Sequence, residues 1–331
     1  CTKSEILKFA KELIDAAKCG AKSPLLEFST FTEHSGQKKW LFNSDVLNAF
    51  EGAFLFCDSL PKNVSLIYKL VLIYAAMQNC NARRDGKCLR YKTGWKDRGF
   101  NVTTFLEAVK THLELIIHDL DSNQFSHGSF IEPKIVEGDA RELISKIFGQ
   151  VDLCITSPPY LNSFDYSDVY RPELFLGKFV VNNEELMKIR LKTVRSHVQA
   201  SWTQPSRRDF GRIYDDCFER INAQKKDLWD PRILLMIQAY FEDMLNLLMG
   251  LRCISSLKTR AWVVVSTSAY VGVEIPVDLI IAEIATRTGW KVTDIYRLRH
   301  LRAASHHFSK LDNGFLTAHP LRESAISLMA V

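Results

Sequence analysis

The residues Thr156-Ser157-Pro158-Pro159-Tyr160 stand directly after the apolar run VDLCI at 151–155. Two successive prolines fix the backbone and present carbonyls with no competing N–H of their own, beside one hydroxyl and one aromatic ring. That set suits a site that must accept the hydrogens of a planar amine. An ordinary Pro-Pro turn with a solvent-facing tyrosine would use the same residues, as would an extended ligand for a small proline-binding domain. A motif leaving a buried strand is poorly placed for the extended, accessible form, so a site at the strand end is the stronger reading.

A second group of candidates is basic. Residues 83–98 hold Arg83, Arg84, Lys87, Arg90, Lys92, Lys96 and Arg98 against Asp85 and Asp97, a local charge of +5. Tyr91, Trp95 and Phe100 interleave with these cations as base-stacking platforms would, which favours a polyanion partner over a merely solvated loop. The alternative for Arg83 and Arg84 is pairing with acidic residues of neighbouring helices. Residues 188–212 add a local +6, and within them Arg195, His197, Arg207 and Arg208 are candidates to grip phosphates. Asn162, Asp165 and Asp168 follow the motif closely enough to line its pocket, although Asp and Asn near a helix start are more often caps.

These groups need a scaffold. With 47% hydrophobic and 24% charged residues over 331 positions, the chain can bury one large α/β core or two smaller ones, which excludes disorder and a disulfide miniprotein. Eight cysteines lack any C-x-x-C spacing, so a zinc ribbon is excluded and a reduced, cytoplasmic compartment is expected. Cys154 lies inside an apolar run and reads as core. His306-His307 has no acidic or cysteine companion set, and no metal is assigned. No run of about 18 apolar residues exists, and no membrane partner is expected.

The first 130 residues read as a helical region. Thr2 and Glu5 are spaced as a capping box, and apolar stripes recur through 6–17, 45–57, 64–80 and 102–120, with the basic loop 83–98 between the last two. Phe50, Phe54, Phe56, Tyr74 and Met77 are expected in the core. From 131 to 331 the pattern becomes an α/β domain with a basic insertion at about 161–230. Strands are expected at 133–139, 151–156, 261–267, 290–298 and 323–331, with helices at 232–256 and 275–288 between them. Repeated β-α-β order implies a doubly wound, mostly parallel sheet, whose ligands sit beyond the carboxyl ends of the strands.

The stretch GDAREL at 138–143 followed by VDLCITSPPY at 151–160 resembles the amino-directed DNA methyltransferases, whose catalytic motif is Asp, Asn or Ser, then Pro-Pro, then Tyr or Phe. The likeness continues through LNSFDYSDVYRPELFLG, and NARRDGKCLRY at 81–91 resembles an upstream segment of some bacterial members. The resemblance implies methyl transfer from S-adenosylmethionine to the N4 amine of cytosine or the N6 amine of adenine in double-stranded DNA, with Ser157 tilting the choice toward cytosine. It implies that Ser157, Pro158, Pro159 and Tyr160 are catalytic, with Tyr160 stacking on a base that has left the duplex. It also implies that Asp139, Thr156 and Ser157 contact the cofactor, although Asp139 would serve equally as an N-cap.

The family's glycine-rich turn, Phe-x-Gly-x-Gly, has no counterpart here, and five of its usual seven strands are expected, the first two being missing. The fold expected is therefore an incomplete Rossmann-like methyltransferase sheet behind a helical N-terminal region. A missing N-terminal segment or a second subunit would supply the cofactor loop. Two other functions remain in view, an RNA amine methyltransferase and a catalytically silent DNA-binding subunit.

Overall fold

The computed structural model describes residues 2–85, 88–122, 133–146, 149–301 and 321–331. In chain order the longer elements are α1 (Lys3–Lys8), α2 (Ala10–Cys19), α3 (Ser44–Cys57), α4 (Lys62–Gln78), β1 (Ala82–Asp85), β2 (Cys88–Tyr91), α5 (Val102–Ser122), α6 (Ala140–Leu143) and β3 (Val151–Thr156). They continue with α7 (Tyr166–Val169), α8 (Arg171–Leu176), α9 (Asn183–Leu191), α10 (Arg212–Ala223), α11 (Ile233–Cys253), β4 (Ser255–Ser266), β5 (Ser268–Tyr270), β6 (Val273–Ile275), α12 (Val277–Arg287), β7 (Trp290–His300) and β8 (Arg322–Ala330). Two compact units result: Cys1–Lys134 with Tyr166–Leu186, and Ile135–Asp165 with Met187–Val331.

The first unit is mainly helical. The capping box forms as the spacing requires, with Glu5 N–H donating to Thr2 Oγ1 at 3.3 Å and Thr2 N–H donating to Glu5 Oε2 at 2.7 Å. Phe50 and Phe54 enter the core with Phe31, Phe42 and Phe105, whereas Tyr74 is 56% exposed. Helix α3 passes so close to α2 that a β-carbon on Gly52 would stand 2.6 Å from the Ala16 carbonyl oxygen. The basic stretch expected as a loop is an antiparallel hairpin of β1 and β2, in which Arg83 faces Arg90 and Arg84 faces Leu89.

Among the described residues the second unit holds a four-stranded sheet in the order β3-β4-β8-β7. Strands β3 and β4 pair in parallel, while β8 runs antiparallel to both β4 and β7. The sheet is thus mixed rather than mostly parallel. Its last two strands are consecutive in the chain and pair antiparallel, with His300 opposite Arg322 where one ends and the other begins. Helix α11, although 21 residues long and apolar enough in composition to cross a membrane, is the core helix of this unit, with Met236, Tyr240, Phe241 and Met244 buried. Trp290, Ile326, Val263 and Ile280 complete that core from β7, β8, β4 and α12.

The strand expected at 133–139 does not form. Ile135 is 90% exposed, and β3 is an edge strand with Leu153 and Ile155 open to solvent, so the segment has neither a pairing partner nor a buried face to hold it extended.

Candidate active site

The carboxyl ends of β3, β4 and β7 and the start of β8 share one edge of the sheet, because Thr156 pairs with Val263, Ser266 with Glu323, and Glu323 with Arg299. Ser157 through Tyr160 leave β3 at that edge. The loop beyond them is fastened by the Leu161 carbonyl, which accepts from the Ser268 hydroxyl and from Tyr270 Oη at 3.3 Å, and by Ser163 N–H, which donates to the Ser196 carbonyl at 3.1 Å. A cavity of about 320 Å³ opens beside the motif, lined by Thr156, Ser157, Pro158 and Pro159 and walled by Ala140, Ile144, Val194, Met244 and Leu247. Its walls are apolar, and polar groups enter only from the motif side.

Tyr160 is half-buried, and its hydroxyl donates to Glu323 Oε1 at 2.7 Å. Ser157 Oγ donates in turn to Tyr160 Oη at 3.5 Å. Arg299 closes the series with bonds of 2.7 and 3.1 Å to the two oxygens of Glu323. Those hydrogen bonds, from Arg299 first and Tyr160 second, hold the Glu323 carboxyl below the usual carboxylate range. Neither Glu323 nor Arg299 carried a signal in the sequence, since Glu323 lies 163 positions from Tyr160 and meets it only through strand order.

Asp139 is the N-cap of α6, accepting from Arg141 N–H at 2.9 Å, and its carboxylate is clasped by the Arg141 guanidinium at 2.6 to 3.2 Å. Burial alone would raise its pKa, but the bonds from Arg141 prevail and lower it. Arg141 reaches on to Asp243 Oδ2 at 2.9 Å. On the other side of Asp243, Arg195 donates to Oδ1 through Nε and Nη2 at 3.1 and 2.6 Å and to Glu242 at 2.7 Å. Arg195, expected on a phosphate-gripping surface, is therefore buried and engaged by two carboxylates. His197 is buried as well, 3.9 Å from Asp165 and edge-on to Trp202, and burial lowers its pKa. Asp165 pairs with Arg190 at 2.7 Å.

Arg207 and Arg208 are exposed, but they line a different cavity with Arg252 and Arg287, near the ends of α11 and α12 from which β4 and β7 start. That is the edge of the sheet opposite to Ser157. In the helical unit Arg84 pairs with Glu173 and stacks on Tyr170 at 4.2 Å, and Arg90 pairs with Asp85 at 2.6 Å. Arg83 is exposed. The aromatic residues between the cations contact each other and their neighbours: Trp95 lies edge-on to Trp40 and against Tyr91, and Lys39 covers the Tyr91 ring. Lys87, His306 and His307 lie outside the described residues. Among the described residues no cluster of three metal-ligating side chains occurs. The Cys154 thiol is half-buried in β3, and burial raises its pKa, away from the thiolate form that a nucleophile needs.

Known proteins bear on this geometry. The chain is similar to Type II methyltransferases. It is 25% identical to Type II methyltransferase M.AvaI of Nostoc sp., over 88% of this chain and 68% of that protein, and equally to M.AvaI of Anabaena variabilis. Type II methyltransferase M.BsoBI of Geobacillus stearothermophilus is 25% identical over 52% of this chain and 38% of its own length. No protein-family model and no solved structure matches the chain.

Proposed function

We propose that the chain is a site-specific DNA methyltransferase of a restriction-modification pair, acting on an exocyclic base amine, with cytosine N4 ahead of adenine N6. The observation that carries this reading is the Ser-Pro-Pro-Tyr sequence at the open edge of the sheet, directly beside a cavity of about 320 Å³, in a chain whose relatives are Type II methyltransferases. The sheet is read as the motif-bearing half of a Rossmann-like one.

S-adenosylmethionine is the methyl donor in this reading, supplying an electrophilic methyl group on sulfur. The cavity is within the size range of small-ligand sites, and its apolar walls at Ile144, Val194 and Leu247 suit a flat purine. Thr156 and Ser157 would meet the donor at the mouth, while the Asp139 carboxylate, held by Arg141, fits an orienting role one residue from the wall better than a direct contact.

An exocyclic amine is a weak nucleophile because its lone pair is spread into the ring. Ser157 Oγ and the Pro158 carbonyl accept the amine hydrogens, which draws the nitrogen toward a tetrahedral form and frees its lone pair. The Tyr160 ring stacks on the base once it leaves the duplex. Holding amine and donor in line supplies much of the acceleration.

Mass spectrometry of nucleosides from duplex DNA incubated with the chain and S-adenosylmethionine tests this, with RNA run in parallel. N4-methylcytosine is the expected product, and Ser157→Ala and Tyr160→Ala should each lower it at least about 100-fold while the chain stays folded, as its circular dichroism at the assay temperature would show. N6-methyladenine alone would reverse the base order. Methylated RNA in place of DNA, or no product with DNA binding intact, would replace the reading with an RNA methyltransferase or a silent DNA-binding subunit respectively.

A further inference from the structure

We infer that Glu323, fixed by Arg299, is a positioning residue that sets the direction of the hydroxyl hydrogens at the site and so leaves the Ser157 oxygen available to the substrate amine. The inference rests on the methyl-transfer reading above for its consequence, but its geometry stands apart from it.

Direction follows from the donor inventory. A guanidinium can only donate and an ionised carboxylate can only accept, whereas serine and tyrosine hydroxyls do either. Arg299 gives two hydrogens to Glu323, at 2.7 and 3.1 Å, which keeps that carboxylate an acceptor. The Tyr160 hydroxyl, 2.7 Å from Glu323 Oε1, must then donate to it. Its oxygen is left to accept from Ser157 Oγ at 3.5 Å. With the Ser157 hydrogen drawn toward Tyr160, the serine lone pairs turn to the open side of the site, where an amine hydrogen needs an acceptor. A serine free to rotate would spend part of its time pointing its own hydrogen at the amine.

Glu323 itself is firmly held. Its neighbours Arg322 and Ser324 both bond to the buried Asp278 of α12, at 2.8 and 2.9 Å and at 2.7 Å. Within the sheet Glu323 pairs with Ser266 on one side and Arg299 on the other. The series Arg299, Glu323, Tyr160, Ser157 thus spans the edge from β7 to β3.

The test is a double-mutant cycle with the full chain. Glu323→Gln is nearly isosteric, but Arg299 takes the single amide oxygen and turns the amide NH2 toward Tyr160, which reverses the series. We expect kcat for methyl transfer to duplex DNA to fall about tenfold, with KM for DNA and the melting temperature within twofold and about 2 °C of the parent. In a Tyr160→Phe background, where the ring remains but the series is already cut, Glu323→Gln should have no further effect. Undiminished kcat in Glu323→Gln, or the same tenfold fall in the Tyr160→Phe background, would overturn the inference. A readout needing neither DNA nor donor accompanies it: the 13Cζ resonance of Tyr160, assigned by its loss in Tyr160→Phe, should move in Glu323→Gln and in Arg299→Ala. If no methyl group were transferred even by the full reading frame that supplies the cofactor loop, the methyltransferase reading would fail, and the resonance would then decide on the series alone, an unmoved signal rejecting it.

Discussion

Asp243 carries two guanidinium groups on one carboxylate whose side chain is 1% exposed, Arg141 from α6 at 2.9 Å and Arg195 from the 193–196 loop at 2.6 Å. Both partners adjoin walls of the cavity beside Ser157, since Ala140 precedes Arg141 and Val194 precedes Arg195. Removing one member of a buried ionic cluster leaves the others desolvated and uncompensated, which costs about 3–5 kcal/mol. Asp243→Ala should therefore lose stability on that order in urea unfolding, and part of it should return in the double substitution Asp243→Ala with Arg195→Met, where one stranded charge is gone. A loss below about 1 kcal/mol would show that the cluster is already hydrated and does not hold the cavity walls. Sequence reasoning offered Arg195 as a phosphate contact because a lone arginine in a basic stretch carries no mark of its future partner; Glu242 and Asp243 sit 47 and 48 positions away on an otherwise apolar helix. Two adjacent acids inside such a helix were the one visible hint.

At the scale of elements, the basic hairpin separates residues that the charge count had grouped. Strand alternation puts Arg84 on one face, where it pairs with Glu173 and lies over Tyr170, and Arg83 on the other with Asp85 and Arg90. Arg84→Ala should lower the melting temperature while leaving the salt dependence of duplex binding intact. Arg83→Ala should do the reverse, flattening the slope of log K against log salt by about 0.9, one phosphate contact's worth. Equal slopes for both variants and the parent would mean that neither face meets DNA. The elements legible in the sequence were those with strong periodicity or a long apolar run: the capped first helix, α11, α12, and the strands at 151–156, 290–300 and 322–330. The hairpin was missed because arginines on both faces erase alternation. The strand at 133–139 was over-read because Ile135 and Val136 imply a buried face that this sheet does not provide. The candidate motif was legible as a block at a strand end, but the groups hydrogen-bonded to it were not, because hydrogen-bond partners across strand ends depend on sheet order and not on local pattern.

At the scale of the whole molecule, the count of 43 lysines and arginines overstates how many cations are offered to a polyanion, since Arg84, Arg90, Arg141, Arg195 and Arg299 are each bound to a carboxylate of the same chain. Those pairings tie stability to pH in a definite direction. Asp139 and Glu242 are raised by burial but lowered further by bonds from Arg141 and from Arg195 and Ser206, for a net fall, and Glu323 is lowered chiefly by Arg299. A carboxyl whose folded pKa lies below its unfolded value binds fewer protons when folded, so its contribution is complete above the unfolded value and lost as pH drops through the folded one. His197 acts on a higher limb: burial lowers its pKa, with Asp165 opposing and Arg190 assisting, so the unfolded chain takes up the proton first as pH falls below about 6.5. Unfolding free energy measured in urea should therefore hold steady between about pH 7 and 8, decline as pH falls below about 6.5 through His197 and, more weakly, the part-buried His112, and decline again below about pH 4.5 through the carboxylates; above about pH 8.5 it should fall as well, because burial raises the Cys57, Cys80 and Cys217 thiols. His197→Gln should reduce the limb below about pH 6.5 to the smaller part due to His112 and leave the acid limb unchanged. If the upper limb survived that substitution unchanged, the destabilising proton would belong to another group and His197 would have to be accommodated in its charged form beside Asp165.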